Sequence, residues 1–198
     1  MLTYPTMRTL LFLLALAFAT AARAEVVVYK GSGTCRQPND VAQFGPTPRL
    51  YYIVDLSTHD SYPIFYFTLN GQKQSQGSFP LNPTYYNAAP GFKGKTIGVF
   101  NFLFDSGSVT NPSTLFFYFR GKAVTVATNS SGGTGTFPET LTGIFGGISH
   151  NNGNPFNDQV DFVLNYDSFH TKAANNLFKS GATVYSDILA ELSAKGYQ

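Results

Sequence analysis

The hydrophobic pattern around which the rest of the chain reads as organised covers residues 95–128 (KTIGVFNFLFDSGSVTNPSTLFFYFRGKAVTVAT). Phe100, Phe102 and Phe104 fall two apart, so an extended backbone places them on one face and Val99, Asn101, Leu103 and Asp105 on the other. Residues 115–119 (LFFYF) are apolar on both faces, the pattern of a strand covered from two sides. Turn formers separate the two runs, Asp105-Ser106-Gly107-Ser108 and Asn111-Pro112-Ser113. The segment predicts a pair of strands around which a β-rich core is organised.

Similar runs recur along the chain. Residues 25–30 (EVVVYK) are β-branched and end at Gly31-Ser32-Gly33, after which residues 34–49 read as loop. Residues 50–56 (LYYIVDL) and 62–69 (YPIFYFTL) predict two strands, with Pro63 near the start of its run, where a strand tolerates it best. Asn70-Gly71 is a strong hairpin signal. Residues 72–95 form a polar, Pro/Gly-rich link that carries Tyr85 and Tyr86. Residues 136–148 predict a strand interrupted by Pro138 and three glycines, and residues 160–166 (VDFVLNY) the last strand. Residues 53–58 and 163–168 echo one another as two strands that each run into a tight turn.

The period changes at the C-terminus. Val184, Ile188 and Leu192 lie four apart, with Ser186 as N-cap, Lys195 in the last turn and Gly196 as the residue after the cap. The fold class predicted is all-β or nearly so, an antiparallel sandwich or partly closed barrel with one C-terminal amphipathic helix laid over a face or an open end.

The N-terminus changes the picture of where this domain works. Arg8, the apolar run at residues 10–18 (LLFLLALAF) and Ala22-Arg23-Ala24 predict a secretory signal peptide over residues 1–24, cleaved after Ala24. The run is short of the roughly 20 apolar residues that span a bilayer. Residues 25–198 then form a single β-rich domain, periplasmic or extracellular, with no integral membrane span after cleavage. Losing Arg8 and Arg23 leaves 11 basic and 11 acidic residues, and no Lys/Arg cluster marks nucleic acid or an anionic membrane as partner. A small-molecule or protein partner stays open. Cys35 is the sole cysteine, so no internal disulfide forms and packing alone holds the core.

Candidate chemistry is sparse. Gly147-Ile148-Ser149-His150-Asn151 lacks the second glycine of a nucleophile elbow, and His59 has Asp55, Asp60 and Ser61 only as neighbours on one turn. A glycosidase pair would have to join Glu139 to Asp55, Asp105 or Asp161. His59, His150 and His170 are far apart in sequence. The oxygen-rich stretch from Asn151 to Asp161 does not match EF-hand spacing, and neither glycine loop continues as a phosphate cradle. No catalytic residue, metal ligand or cofactor is assigned.

Aromatic residues are the one enrichment, 19 Phe and 12 Tyr with no Trp. Most sit in strand-like runs, where they fill a core. Tyr51, Tyr52, Tyr66, Tyr85 and Tyr86 are the candidates for a surface cluster that stacks a ligand. The leading expectation is an exported, non-catalytic protein with a binding or structural role. The alternatives are a β-barrel carrier of a small apolar ligand, lined by Phe100, Phe102, Phe117 and Phe119, and an exported hydrolase using Asp, Glu or His59 in a cleft. An outer-membrane barrel suits export but neither the terminal helix nor the two-faced run at 115–119.

Overall fold

Strand β1 (Val26–Cys35) lies near the middle of the sheet and is buried on both faces over its first four residues. It belongs to a computed structural model that describes residues 25–36, 38–58, 60–77, 100–105, 113–151 and 154–198. The further strands are β2 (Arg49–Asp55), β3 (Asp60–Leu69), β4 (Gln72–Gly77), β5 (Phe100–Asp105), β6 (Ser113–Arg120), β7 (Ala123–Ala127), β8 (Thr134–Pro138), β9 (Thr140–Asn151) and β10 (Asn154–Tyr166). Eight of them pair antiparallel in the order β4-β3-β2-β1-β10-β9-β6-β5, and β7 with β8 forms a separate hairpin. The mostly β, antiparallel architecture is as the pattern predicts. The sheet ends at β4 and β5 and does not close into a barrel.

The organising centre is not where the aromatic density placed it. β5 and β6 lie at one flank, while Tyr29 of β1 pairs with Tyr52 on one side and Tyr166 on the other. β1 also runs through the glycines expected to end it: Gly31 pairs with both Leu50 and Leu164. A Cβ on Gly31 would sit 1.9 Å from the Val163 carbonyl oxygen, so the missing side chain is what lets β10 approach.

Ring contacts reveal the curvature. Tyr52 of β2 meets Phe119 of β6 at 5.1 Å between centroids, and Phe65 of β3 meets Phe162 of β10 at 5.7 Å. β2 and β6 are four strands apart in the sheet, which on a flat surface is about 19 Å. The sheet therefore curls strongly around a concave face filled by Val27, Tyr29, Leu50, Tyr52, Phe119 and Phe162. The β7–β8 hairpin packs Phe137 against this face and is pinned by two hydroxyls. Tyr29 donates to the Pro138 carbonyl (2.9 Å) and Tyr166 to the Ala127 carbonyl (2.7 Å).

The convex face carries Val26, Val28, Tyr51, Ile53, Tyr62, Ile64 and Tyr66. Because β2 and β3 are covered on both sides, their sequences are continuously apolar. Pro63 pairs with Tyr52, and β4 joins β3 only from Ile64 onward, so the missing N–H falls beyond the end of that outer ladder. Asn70 and Gly71 take φ of 51° and 79°, the two positive values of the expected type I′ turn.

Three helices are described, α1 (Pro38–Phe44), α2 (Ser168–Asn176) and α3 (Gly181–Ala194). α1 lies inside residues expected to be loop and contributes Phe44 to the concave core. α3 is the predicted amphipathic helix, with Val184, Ile188 and Leu192 buried on the convex face. It starts earlier than expected. Ser180 is the N-cap, accepting from the Thr183 N–H, whereas the Ser186 hydroxyl donates back to the Ala182 carbonyl within the helix. Gly196, with φ 85°, follows the cap as anticipated. Among the described residues no helix is long and apolar enough to cross a membrane.

Candidate functional site

The most polar buried region lies where the sheet meets α2. β10 parts from β1 after Tyr166, so the outer backbone groups of Val26 and Val28 have no strand beside them. The N-cap backbone of α2 and two of its side chains supply the partners. The Asp167 N–H donates to the Val28 carbonyl (2.8 Å), and the Val28 N–H donates to Thr171 Oγ1 (2.9 Å). The Val26 N–H donates to Asn175 Oδ1 (2.9 Å), whose amide returns to the Val26 carbonyl (3.0 Å). A sheet edge left open in the interior would strand these groups. Thr171 and Asn175 close it.

Asp167 begins the helix and a charge network. Its carboxylate accepts from the N–H of Phe169 (3.1 Å) and of His170 (3.3 Å), a helix N-cap, and pairs with Lys30 (2.9 Å). Its second oxygen meets His170 Nδ1 at 2.6 Å, while His170 Nε2 meets Glu191 of α3 at 2.9 Å. Glu191 also pairs with Lys195. Burial alone would raise the pKa of Asp167, but the contacts to His170 and Lys30 outweigh it and bring it down to about 2. Burial likewise disfavours the His170 imidazolium, yet the two carboxylates more than compensate and lift its pKa above the ordinary value. Lys195, then His170, holds Glu191 below the usual carboxylate range.

That geometry decides what His170 does. A general base needs a free ring nitrogen, and both of these are engaged by carboxylates, with the side chain only 12% exposed. An imidazolium donating in both directions is a staple that ties α2 to α3. Asp55 performs the same task at the other end of α3. It accepts from the Gly181 N–H (2.7 Å) as well as from the Ser57 N–H (3.0 Å) and Thr58 N–H (3.3 Å) of its own turn. The Ser57 hydroxyl, which also donates to this carboxylate, and then these backbone bonds keep its pKa low against the opposing effect of burial. Asp161 forms a two-pronged ion pair with Arg36 on the sheet surface, both contacts at 2.7 Å.

The tyrosines singled out for a surface cluster divide between the faces. Tyr51 and Tyr66 come together on the convex side, stacked at 5.4 Å and 24°, beneath α2 and α3. Tyr51 also presents its ring to His170 at 5.5 Å, and Tyr197 stands edge-on to Tyr66 at 5.3 Å. Burial, then the neighbouring Tyr66 and the carboxylates of Glu191 and Asp167, suppresses ionisation of the Tyr51 hydroxyl. Tyr52 points the opposite way, into the concave core, as residues adjacent on a strand must. All three are buried. Tyr85 and Tyr86 lie outside the described residues, as do His59 and the side chains of Phe100, Phe102, Asp105, Phe117 and His150. Phe119, expected to line a carrier cavity, fills the core against Tyr52.

Among the openings lined by described residues is a cleft of about 530 Å³ between the β7–β8 hairpin and the start of α2. Glu139, Thr140, Asn165, Tyr166, Ser168 and Lys172 supply its polar and aromatic lining. Thr140 donates to Asn165 across the floor (3.1 Å). The sequence offers Glu139 as a glycosidase acid but marks none of the other five for a site, because only the topology brings the β8–β9 corner beside α2. Among the described residues no group of three or more His, Cys, Asp and Glu side chains is placed to hold a metal. No protein-family model, curated protein or solved structure matches this chain.

Proposed function

We propose that residues 25–198 act as an exported, non-catalytic binding protein, with the cleft beside α2 as the site for a small polar ligand. One observation carries this reading. The acids and the histidine buried against the helices, Asp55, Asp167 and His170 with its partner Glu191, are spent on holding those helices to the sheet and to one another. Glu139 and Lys172 have no ion-pair partner among the described residues, and they converge on one opening together with hydroxyl and amide groups. Opposite charges on the walls of one cleft suit a molecule bearing both an acidic and an amino group. The leader at residues 1–24 supports an extracytoplasmic setting.

The test is a thermal-shift and calorimetric screen of the mature chain against small amino acids, amino sugars and short peptides. A hit is expected to weaken at least tenfold in Lys172→Met and in Glu139→Gln, with melting temperature unchanged. Turnover of an ester, glycoside, peptide or phosphate substrate by the same preparation would overturn the non-catalytic reading. Edman sequencing of the exported protein is expected to begin at Glu25.

A further inference from the structure

The eight-stranded sheet ends at β4, and the segment that follows α3 lies along that edge. The Ser75 N–H donates to the Gln198 carbonyl (2.7 Å), and the Gln198 N–H donates to the Lys73 carbonyl (3.2 Å). One residue bonded to both neighbours of Gln74 is the pattern of a parallel strand pair. The end of α3 delivers Gln198 to this place. The Gly196 N–H donates to the Ser193 carbonyl (2.9 Å) and the Tyr197 N–H to the Leu192 carbonyl (3.0 Å), while Gly196 takes a φ of 85°. This is the helix ending in which a left-handed glycine turns the chain off the axis. Lys73 then clasps the segment from β4. Its ammonium donates to the Lys195 carbonyl (2.8 Å) and lies 5.4 Å from the centre of the Tyr197 ring. Gly196 and Gln198 are exposed, and Tyr197 is only half-buried, edge-on to Tyr66. Three residues held mostly by exposed contacts are released at small cost.

We propose that residues 196–198 are a releasable strap over the edge of β4, and that the occupant they hold off is β4 of a second copy of this chain. Three observations select that occupant. First, the bonds from Gln198 to β4 are between backbones, so what this edge accepts is an extended chain. Second, a foreign peptide strand is selected through pockets for its side chains, and β4 (QKQSQG) has no large apolar residue to wall one. Third, β4 is complementary to itself. Its outward backbone groups fall on odd-numbered residues, Lys73 and Ser75 among them, so an antiparallel pair can centre its two-fold axis on Ser75. That register sets Lys73 opposite Gly77 of the second copy and Gln74 opposite its Gln76. No like charges meet, and side-chain amides come within reach of one another. A net charge of +2 does little to keep two copies apart. β4 is four strands from β10 in the sheet order, and pairing through it does not involve the ligand cleft.

The test is analytical ultracentrifugation of the wild-type chain and of a chain shortened to end at Lys195, over the same range of concentration. The wild type is expected to sediment as a monomer. The shortened chain is expected to form a dimer, with self-association at least tenfold tighter. Ser75→Pro in the shortened chain is expected to restore the monomer. That substitution deletes an N–H that points away from β3, so the β3–β4 ladder keeps its bonds. Circular dichroism and melting temperature establish that each variant is folded. Should the shortened chain fail to fold, Tyr197→Ser combined with Gln198→Pro is read in its place, because it frees the strap and leaves Gly196 and the ending of α3 as they are. A folded strap-free variant that stays monomeric would overturn the proposal. So would a wild type that dimerises as tightly as the variant, or a dimer that survives Ser75→Pro and therefore uses another surface. Co-purification of a different chain on the freed edge, in place of the dimer, would overturn it as well.

Discussion

Removing the Asp167 carboxylate tests the staple at its strongest point. The side chain caps α2, and that role is worth about 1 kcal/mol. Its charge interactions depress its pKa to about 2 from an ordinary value near 3.8, which corresponds to about 2–3 kcal/mol of stability at neutral pH. Asp167→Asn keeps a capping side chain and loses the charge, so it is expected to cost about 2 kcal/mol. Asp167→Ala loses both, at about 3–4 kcal/mol. For a domain of this size each kcal/mol shifts the melting temperature by about 2–4 °C. The pH profile supplies the discriminating measurement. A depressed Asp167 contributes fully above its unfolded pKa and loses that contribution as pH falls toward 2. A raised His170 contributes fully below its unfolded pKa, about 6.5, and loses its contribution as pH rises through the folded value. Wild-type stability from calorimetric melts should therefore form a plateau between about pH 4 and 6.5 and fall on both sides. Asp167→Asn should lower and flatten it. If the gap between wild type and Asp167→Asn is as large at pH 2 as at pH 6, the charge network is not what stabilises this corner.

Three further outcomes follow from the packing. Phe178→Gly should raise stability by about 0.5–1 kcal/mol in urea melts, because glycine takes the left-handed conformation without the penalty a Cβ imposes. Gly31→Ala should cost about 3 kcal/mol or more, since its Cβ would meet the backbone of β10 and not a movable side chain. Tyr29→Phe with Tyr166→Phe should leave the sheet intact but free the hairpin, seen as faster amide hydrogen exchange over residues 123–138 than over 49–55.

Legibility in the sequence tracked the directness of the burial signal. β2 and β3 were readable because both faces are covered and nearly every residue is apolar. Asn70-Gly71 was readable because a two-residue turn with positive φ has few alternatives. The stripe of α3 was readable because helix period and burial coincide. α2 was missed for the opposite reason: its sheet-facing positions are Thr171, Ala174 and Asn175, and its large apolar residues face water. β4 (QKQSQG) carries no apolar residue and read as a linker, since an edge strand can be held by backbone pairing alone. The glycines of β1 read as a stop because a pattern along one chain does not show that a second strand must come close. The charge network was invisible for a related reason. His170, Glu191 and Lys30 come from three distant segments, and only the topology brings them together.

The pairing of Tyr29 with Tyr166 sets a timetable for folding. A ribosome has delivered β1 early, yet its neighbour on one side emerges only after most of the chain has been made. Loop closure over such a distance is slow, so β1 can pair with β2 early but must wait for β10 on its other side. The nascent polypeptide thus keeps that edge of β1 unpaired until β10 has been made, and the central ladder zips shut only then.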